Sequence, residues 1–126
     1  MKPITALIVD DSSVMRKIVE RSLRQAGVEF AAVLEAPNGS DALDILRQQP
    51  VDLVLSDINM PVMDGLEFVN QLQGLPQAQG IPVVMITTEA SESHVLRALS
   101  SGARGYIRKP FTPDEVKEHV LPLLDR

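Results

Sequence analysis

Apolar runs of strand length alternate five times with segments of helical period along this chain. The predicted strands are Ile4–Val9, Phe30–Leu34, Leu53–Asp57, Val83–Thr88 and Gly105–Lys109. The first, third and fourth are continuous apolar runs, the pattern of parallel strands buried on both faces. The second and fifth carry more polar side chains, as strands at the edge of a sheet do. Helical period fills the intervals. Val14–Ala26 places Met15, Val19 and Leu23 on one stripe, and further helices are predicted at Ser40–Gln49, Gly65–Leu72, Ser91–Ser101 and Pro113–Leu124.

The last helix has a clear start, with Thr112 as N-cap, Pro113 at the first helical position and Glu115 completing a capping box. Pro122 lies inside its apolar stripe of Val116, Val120, Leu123 and Leu124. Proline lacks an N–H and clashes with the carbonyl four residues back, so a bend or early end is expected there. Strands alternating with helices over short joints imply an α/β fold: a parallel sheet, helices on both faces and right-handed crossovers. For a flavodoxin-like, doubly wound (βα)5 sheet the common strand order is 2-1-3-4-5. Ligands then bind at the carboxyl ends of the strands, near the switch point between the first and third.

Composition narrows the class. A chain of 126 residues with 44% hydrophobic side chains fits one domain, spanning residues 1–126, that buries about two-thirds of its unfolded surface. The absence of Cys excludes a disulfide framework and a thiolate metal site. No run approaches the ~20 apolar residues of a membrane span, and the first residues lack the apolar region of a secretory leader. A net charge of −5 and few aromatic rings (Phe30, Phe68, Tyr106, Phe111) argue against direct nucleic-acid binding. A cytoplasmic protein is expected.

The candidate chemistry lies at the carboxyl ends of the predicted strands: Asp10 and Asp11 after the first, Asp57 at the third, Thr87 and Thr88 at the fourth, Lys109 at the fifth. In the order 2-1-3-4-5 the first and third strands are neighbours, so three carboxylates converge. At ~4 Å each like-charge pair costs about 4 kcal/mol at an effective dielectric near 20. Lys109 is one group that can offset this, and a divalent cation is the other. All-oxygen ligation with open positions suits Mg2+ better than a full Ca2+ cage. Taken singly, Asp10 or Asp11 reads as a helix cap, Asp57 as a turn residue and Thr87 as a strand former. Together on one edge they point to a site. A carboxylate beside Mg2+ and a lysine can accept a phosphoryl group, because the cations neutralise the transferring oxygens. The added charge can then draw a hydroxyl such as Thr87 into a second arrangement.

These residues carry a resemblance. Val9-Asp10-Asp11-Ser12, Asp57-Ile58-Asn59-Met60-Pro61, Met63-Asp64-Gly65, Ile86-Thr87-Thr88 and Lys109-Pro110-Phe111 together resemble the response-regulator receiver domains, over the whole chain. The similarity is greatest to the single-domain chemotaxis regulators. That group is itself a standard example of the strand order used above, so the two inferences are not independent. The resemblance implies that Asp57 takes a phosphoryl group from a phosphohistidine on a sensor histidine kinase. It further implies that Asp11, Asp57 and the backbone carbonyl of Asn59 hold Mg2+, with Asp10 acting through a water. Thr87 and Lys109 would contact the phosphoryl group, and Tyr106 would turn inward on activation. Pro110 would follow a cis peptide bond, as in relatives.

Asn59 and Glu89 match the positions that tune dephosphorylation in chemotaxis regulators. Thr88 departs from the alanine usual there, and its bulk would narrow the approach of water, implying a phospho-form of intermediate lifetime. Met60 and Met63 are expected to pack within their loop, and His94 and His119 to lie on the surface. The fourth helix, fifth strand and fifth helix, with Val95, Leu99, Tyr106 and Lys117, would form the signalling face. Because Arg126 follows directly on the last helix, a stand-alone monomer without an effector domain is expected. It would dock on a flagellar switch, a kinase or a phosphorelay protein.

Two other functions use the same kind of fold. A phosphohydrolase with an aspartyl nucleophile, as in the haloacid dehalogenase group, needs a second Asp two residues after the nucleophile. Asn59 stands there and cannot act as that acid. A flavodoxin-like nucleotide carrier needs a Ser/Thr/Gly-rich phosphate loop after the first strand, where this chain has Asp10-Asp11.

Overall fold

Five strands, β1 (Ile4–Val9), β2 (Phe30–Ala36), β3 (Leu53–Ser56), β4 (Val83–Thr87) and β5 (Gly105–Arg108), pair in parallel in the order β2-β1-β3-β4-β5. The computed structural model describes residues 2–87, 92–109 and 111–124. The connecting helices are α1 (Ser13–Gln25), α2 (Gly39–Gln48), α3 (Gly65–Leu72), α4 (Glu92–Ser100) and α5 (Pro113–Leu124). The α/β class and the strand order are as the hydrophobic pattern implies. The expectations for Thr88, Glu89 and the peptide bond before Pro110 fall outside the described residues.

Alternation along the strands creates two cores. Leu7, Val9, Val54 and Met85 face one way and pack with Leu43 and Leu46 of α2, Phe68, Val69 and Leu72 of α3, and Ala98 of α4. Ala6, Ile8, Leu55, Val84 and Ile86 face the other way and pack with Val19 and Leu23 of α1 and Val116 and Val120 of α5. Apart from partly buried Thr5, each side chain of the central strands is thus buried, which is why β1, β3 and β4 read as near-continuous apolar runs.

Several boundaries differ from expectation, with α1 and α2 each lying one residue earlier in the chain. β2 runs two residues beyond Leu34, because Glu35 and Ala36 pair with Ile8 and Val9. β3 and β5 stop at Ser56 and Arg108, leaving Asp57 and Lys109 one residue past their strands. The early end expected at Pro122 is corrected: α5 continues through it to Leu124. Pro122 stands in the final turn, so it removes one backbone bond, to the carbonyl of exposed Glu118, after Val120 has already been buried. A short 3-10 turn at Pro76–Ala78, not foreseen in the hydrophobic pattern, joins α3 to β4. The expected capping box is present, with the Glu115 N–H donating to Thr112 Oγ1 at 3.2 Å and the Thr112 N–H to Glu115 Oε1 at 3.3 Å.

The connection from β3 to α3 doubles back on itself. Met63 N–H donates to the carbonyl of Pro61 at 2.7 Å, closing a γ-turn whose central residue, Val62, has φ +68°. A β-branched residue in this left-handed region is strained, and Val62 is 84% exposed, so burial returns almost nothing for it. Val62→Asn, which suits that conformation, should therefore stabilise the protein by about 1 kcal/mol, read as a higher urea midpoint at unchanged m-value.

Candidate functional site

Parallel pairing fixes where the acidic groups stand. Val9 is registered against Ser56, so the residues that follow, Asp10 and Asp57, leave neighbouring strands at the same level of the sheet. The Asp57 N–H donates to the Val9 carbonyl at 2.9 Å, and the Asp10 N–H to the Ala36 carbonyl at 3.1 Å. One carboxylate oxygen from each of Asp10, Asp11 and Asp57 lies within 4.8 Å of the others. Asp10 is buried, Asp57 partly buried and Asp11 exposed, so the cluster opens to solvent on the Asp11 side.

Neither Asp10 nor Asp11 caps α1. That role falls to Ser12, whose hydroxyl accepts from the Met15 N–H at 3.2 Å. Asp10 Oδ1 instead accepts from the Ser12 N–H at 2.9 Å, and Asp57 Oδ1 from the Ile58 N–H at 2.7 Å. Lys109 reaches over the sheet from the far edge. Its Nζ stands 2.9 Å from Asp10 Oδ2 and 3.5 Å from Asp57 Oδ2. Burial pushes the Asp57 carboxyl above the usual carboxylate range, against the pull of the Lys109 ammonium and with the help of the Asp10 charge.

With all three carboxylates ionised, one ammonium leaves two negative charges uncompensated among them. The donor set is hard oxygen throughout and partly open to water. Such a set fits a hexacoordinate Mg2+ that keeps several waters. Asn59, the other expected ligand, lies exposed in the loop two residues after Asp57.

The remaining candidates are distributed around this cluster. Thr87 ends β4 fully buried, and its carbonyl accepts from the Lys109 N–H at 2.9 Å. Tyr106 is partly buried on β5 opposite Met85 and packs on the α2–α3 core. Val95 is partly buried, whereas Leu99 and Lys117 are exposed. Met60 and Met63 pack against the same core as Tyr106, as loop packing requires. His119 is exposed, and the His94 side chain lies outside the described set.

Two participants were not foreseen. Arg16 Nη1 donates to the Asp10 carbonyl at 2.6 Å, and Arg16 Nε to Glu35 Oε1 at 2.9 Å. The pair is 19 positions apart on different elements, and a charged residue on a helix and another on an edge strand carry no mutual signal in sequence. Gly65 is the other. A Cβ there would run into the Asp57 carbonyl oxygen and come within 2.8 Å of Ile58 Cα and 2.9 Å of Met85 Cε. The presence of glycine after Asp64 was visible, but the close approach that demands it was not.

A family model described as the response regulator receiver domain matches residues 6–121. A chemotaxis protein CheY homolog of Campylobacter jejuni is 40% identical over 119 residues, covering 94% of this chain and 90% of its own length. The solved chemotaxis response regulator CheY4 of Vibrio cholerae superposes with a TM-score of 0.84 at 34% identity, over 97% of this chain and 99% of that one. The receiver domain of a sensor histidine kinase from Pseudomonas aeruginosa, at 25% identity and a TM-score of 0.79 over 93% of both chains, was solved with a magnesium ion coordinated in its active site cleft.

Proposed function

The chain belongs to the response regulator receiver family, and from that premise we propose that Asp57 is its phosphoacceptor. The phosphoryl group comes from a phosphohistidine on a sensor histidine kinase or phosphotransfer protein. The histidine N–P bond breaks as a carboxylate oxygen of Asp57 bonds to phosphorus. The observation that carries this reading is the convergence of Asp10, Asp11 and Asp57 within 4.8 Å, with Lys109 Nζ between Asp10 and Asp57.

Each residue has a distinct task. Asp57 is held with Oδ1 engaged by the Ile58 N–H, which orients the carboxylate, while Oδ2 faces Lys109. The ammonium neutralises charge on the transferring oxygens and then pairs with the product. Asp11, Asp57 and the Asn59 carbonyl would hold Mg2+, with Asp10 acting through a water; the bound ion supplies further neutralisation of those oxygens. Thr87 hydrogen-bonds the phosphoryl group, and Tyr106 responds on the α4–β5–α5 face. Asn59, Thr88 and Glu89 set the rate at which the group is lost. The protein assists its own modification without being a turnover enzyme.

Its similarity to chemotaxis proteins supports a regulator that docks on an output protein, such as a flagellar switch, and in our reading it does so as a cytoplasmic monomer. None of the described helices is long and apolar enough to cross a membrane. The test is chemical. Incubation with a small acyl phosphate and Mg2+ should place one acid-stable, base-labile phosphate on Asp57, located by borohydride reduction and mass spectrometry. A chelator should suppress labelling, and label on a histidine, or labelling indifferent to Mg2+, would overturn the reading.

A further inference from the structure

Every polar atom of Asp10 is engaged. Its N–H donates to the Ala36 carbonyl, Oδ1 accepts from Ser12 and Oδ2 from Lys109, and its carbonyl oxygen accepts from Arg16 Nη1 at 2.6 Å. Arg16 is itself held, since its Nε donates to Glu35 Oε1 at 2.9 Å while Glu35 Oε2 takes Lys17 Nζ at 3.0 Å. Glu35 is the residue before Ala36, so a closed ring runs from Asp10 through Arg16 and Glu35 back to Asp10. The Arg16 side chain is only 16% exposed, and that of Glu35 is 27% exposed. Hydrogen bonding from Lys17, joined by Arg16, holds the Glu35 carboxyl below the usual range, so it is ionised at neutral pH.

An ion pair between a helix and an edge strand is most simply a staple. What distinguishes this one is its target. The Asp10 carbonyl shares a rigid plane with the Asp11 nitrogen, so fixing that oxygen fixes where the Asp11 Cα begins. Asp11 is the exposed member of the acidic cluster, and its position depends on the backbone that carries it. A guanidinium is suited to the task because its planar fork serves two acceptors in fixed directions, as an ammonium does not.

We propose that Arg16, oriented by Glu35, is a positioning residue for the acidic pocket: by holding the Asp10 carbonyl it sets the Asp10–Asp11 peptide plane and so presents the Asp11 carboxylate to a divalent cation. This rests on the reading of the pocket as a Mg2+ site. The alternative for Arg16 is pure charge compensation, in which the positive charge matters and its geometry does not.

Calorimetric titration of the full chain with Mg2+ alone separates these, with metal-free melting measured alongside. Outer hydrogen-bond partners of metal sites are commonly worth about 10-fold in metal affinity. Arg16→Lys, which keeps the charge, and Glu35→Ala, which removes the acceptor that orients the guanidinium, should each bind Mg2+ about 10-fold more weakly while melting near wild type. Lys17→Gln, which leaves the Arg16 fork in place, should bind as wild type does. Wild-type affinity in Arg16→Lys and Glu35→Ala overturns the proposal while leaving the pocket reading intact. So does a loss of affinity in Lys17→Gln equal to theirs, which would make the ring a staple. A wild-type chain that takes up no Mg2+ overturns the pocket reading and this proposal with it.

Discussion

Asp57→Asn should abolish phosphate uptake from a small acyl phosphate, to background, and should at the same time melt higher than wild type in the absence of metal. The first effect follows from losing the nucleophilic oxygen. The second follows from electrostatics. Asp57 is pushed toward its neutral form by burial and by Asp10, and Lys109 retains its closer partner, Asp10 at 2.9 Å, when Asp57 is neutralised. A gain on the order of 1 kcal/mol, or about 4 °C for a chain of this size, is expected at neutral pH.

The pH dependence has a definite sign. The folded state binds the Asp57 proton more tightly than the unfolded chain does. The associated stability is fully present below the unfolded pKa, about 3.9, and is lost as pH rises through the raised folded value. The melting difference between Asp57→Asn and wild type should therefore be small at the acid end and widen toward neutrality. A variant that still labels at position 57 is chemically impossible, so residual labelling would locate the acceptor elsewhere. A variant that melts lower at neutral pH would show that the Lys109 contact outweighs the cost of burial.

Gly65→Ala should be the most damaging small substitution near the site. Its methyl group would collide with the Asp57 carbonyl and approach Ile58 Cα at 2.8 Å, and both are backbone atoms that no rotamer change can move. The same glycine's N–H donates to the Ile58 carbonyl at 2.7 Å, so a displaced α3 start loses this bond as well. A loss of about 3 kcal/mol is expected, visible as a lower urea midpoint. Phosphorylation should fall too, because the peptide that moves is the one carrying the acceptor. Gly74→Ala is the control. There the nearest atom to an added Cβ is the Gln71 carbonyl oxygen at 3.4 Å, and little change is expected.

The contrast between these glycines shows what the chain discloses on its own. Both stand at joints, and only the packed structure separates the one that admits no side chain from the one that does. The sheet was legible because burial on both faces removes charged residues from β1, β3 and β4, leaving near-continuous apolar runs. The hydrophobic pattern ends β2 early because Glu35 looks like the end of an edge strand. It remains in the strand through pairing with Ile8 and through its bond to Arg16, both of which are long-range. Likewise Pro122 obeys its local rule, but its position in the last turn of α5 leaves too little helix beyond it to be stopped. The acidic cluster was legible for a different reason: aspartates at the ends of adjacent parallel strands must meet once strand order is known. The ring around the Asp10 carbonyl had no such rule behind it.

The short strand β3 has a consequence for the tempo of the site. Its four residues lie at the centre of the sheet, bonded to β1 on one side and β4 on the other, and all are buried. Amides in such a strand exchange with solvent only when the whole molecule opens, whereas exposed loop amides exchange through local fluctuations. Asp57 stands at the boundary between these regimes, its own N–H tied to β1 and the loop of Asn59, Pro61 and Val62 exposed beyond it. The acceptor is thus anchored to a central, doubly paired strand and followed by an exposed loop, so its backbone amide is expected to exchange more slowly than those of Asn59 and Val62.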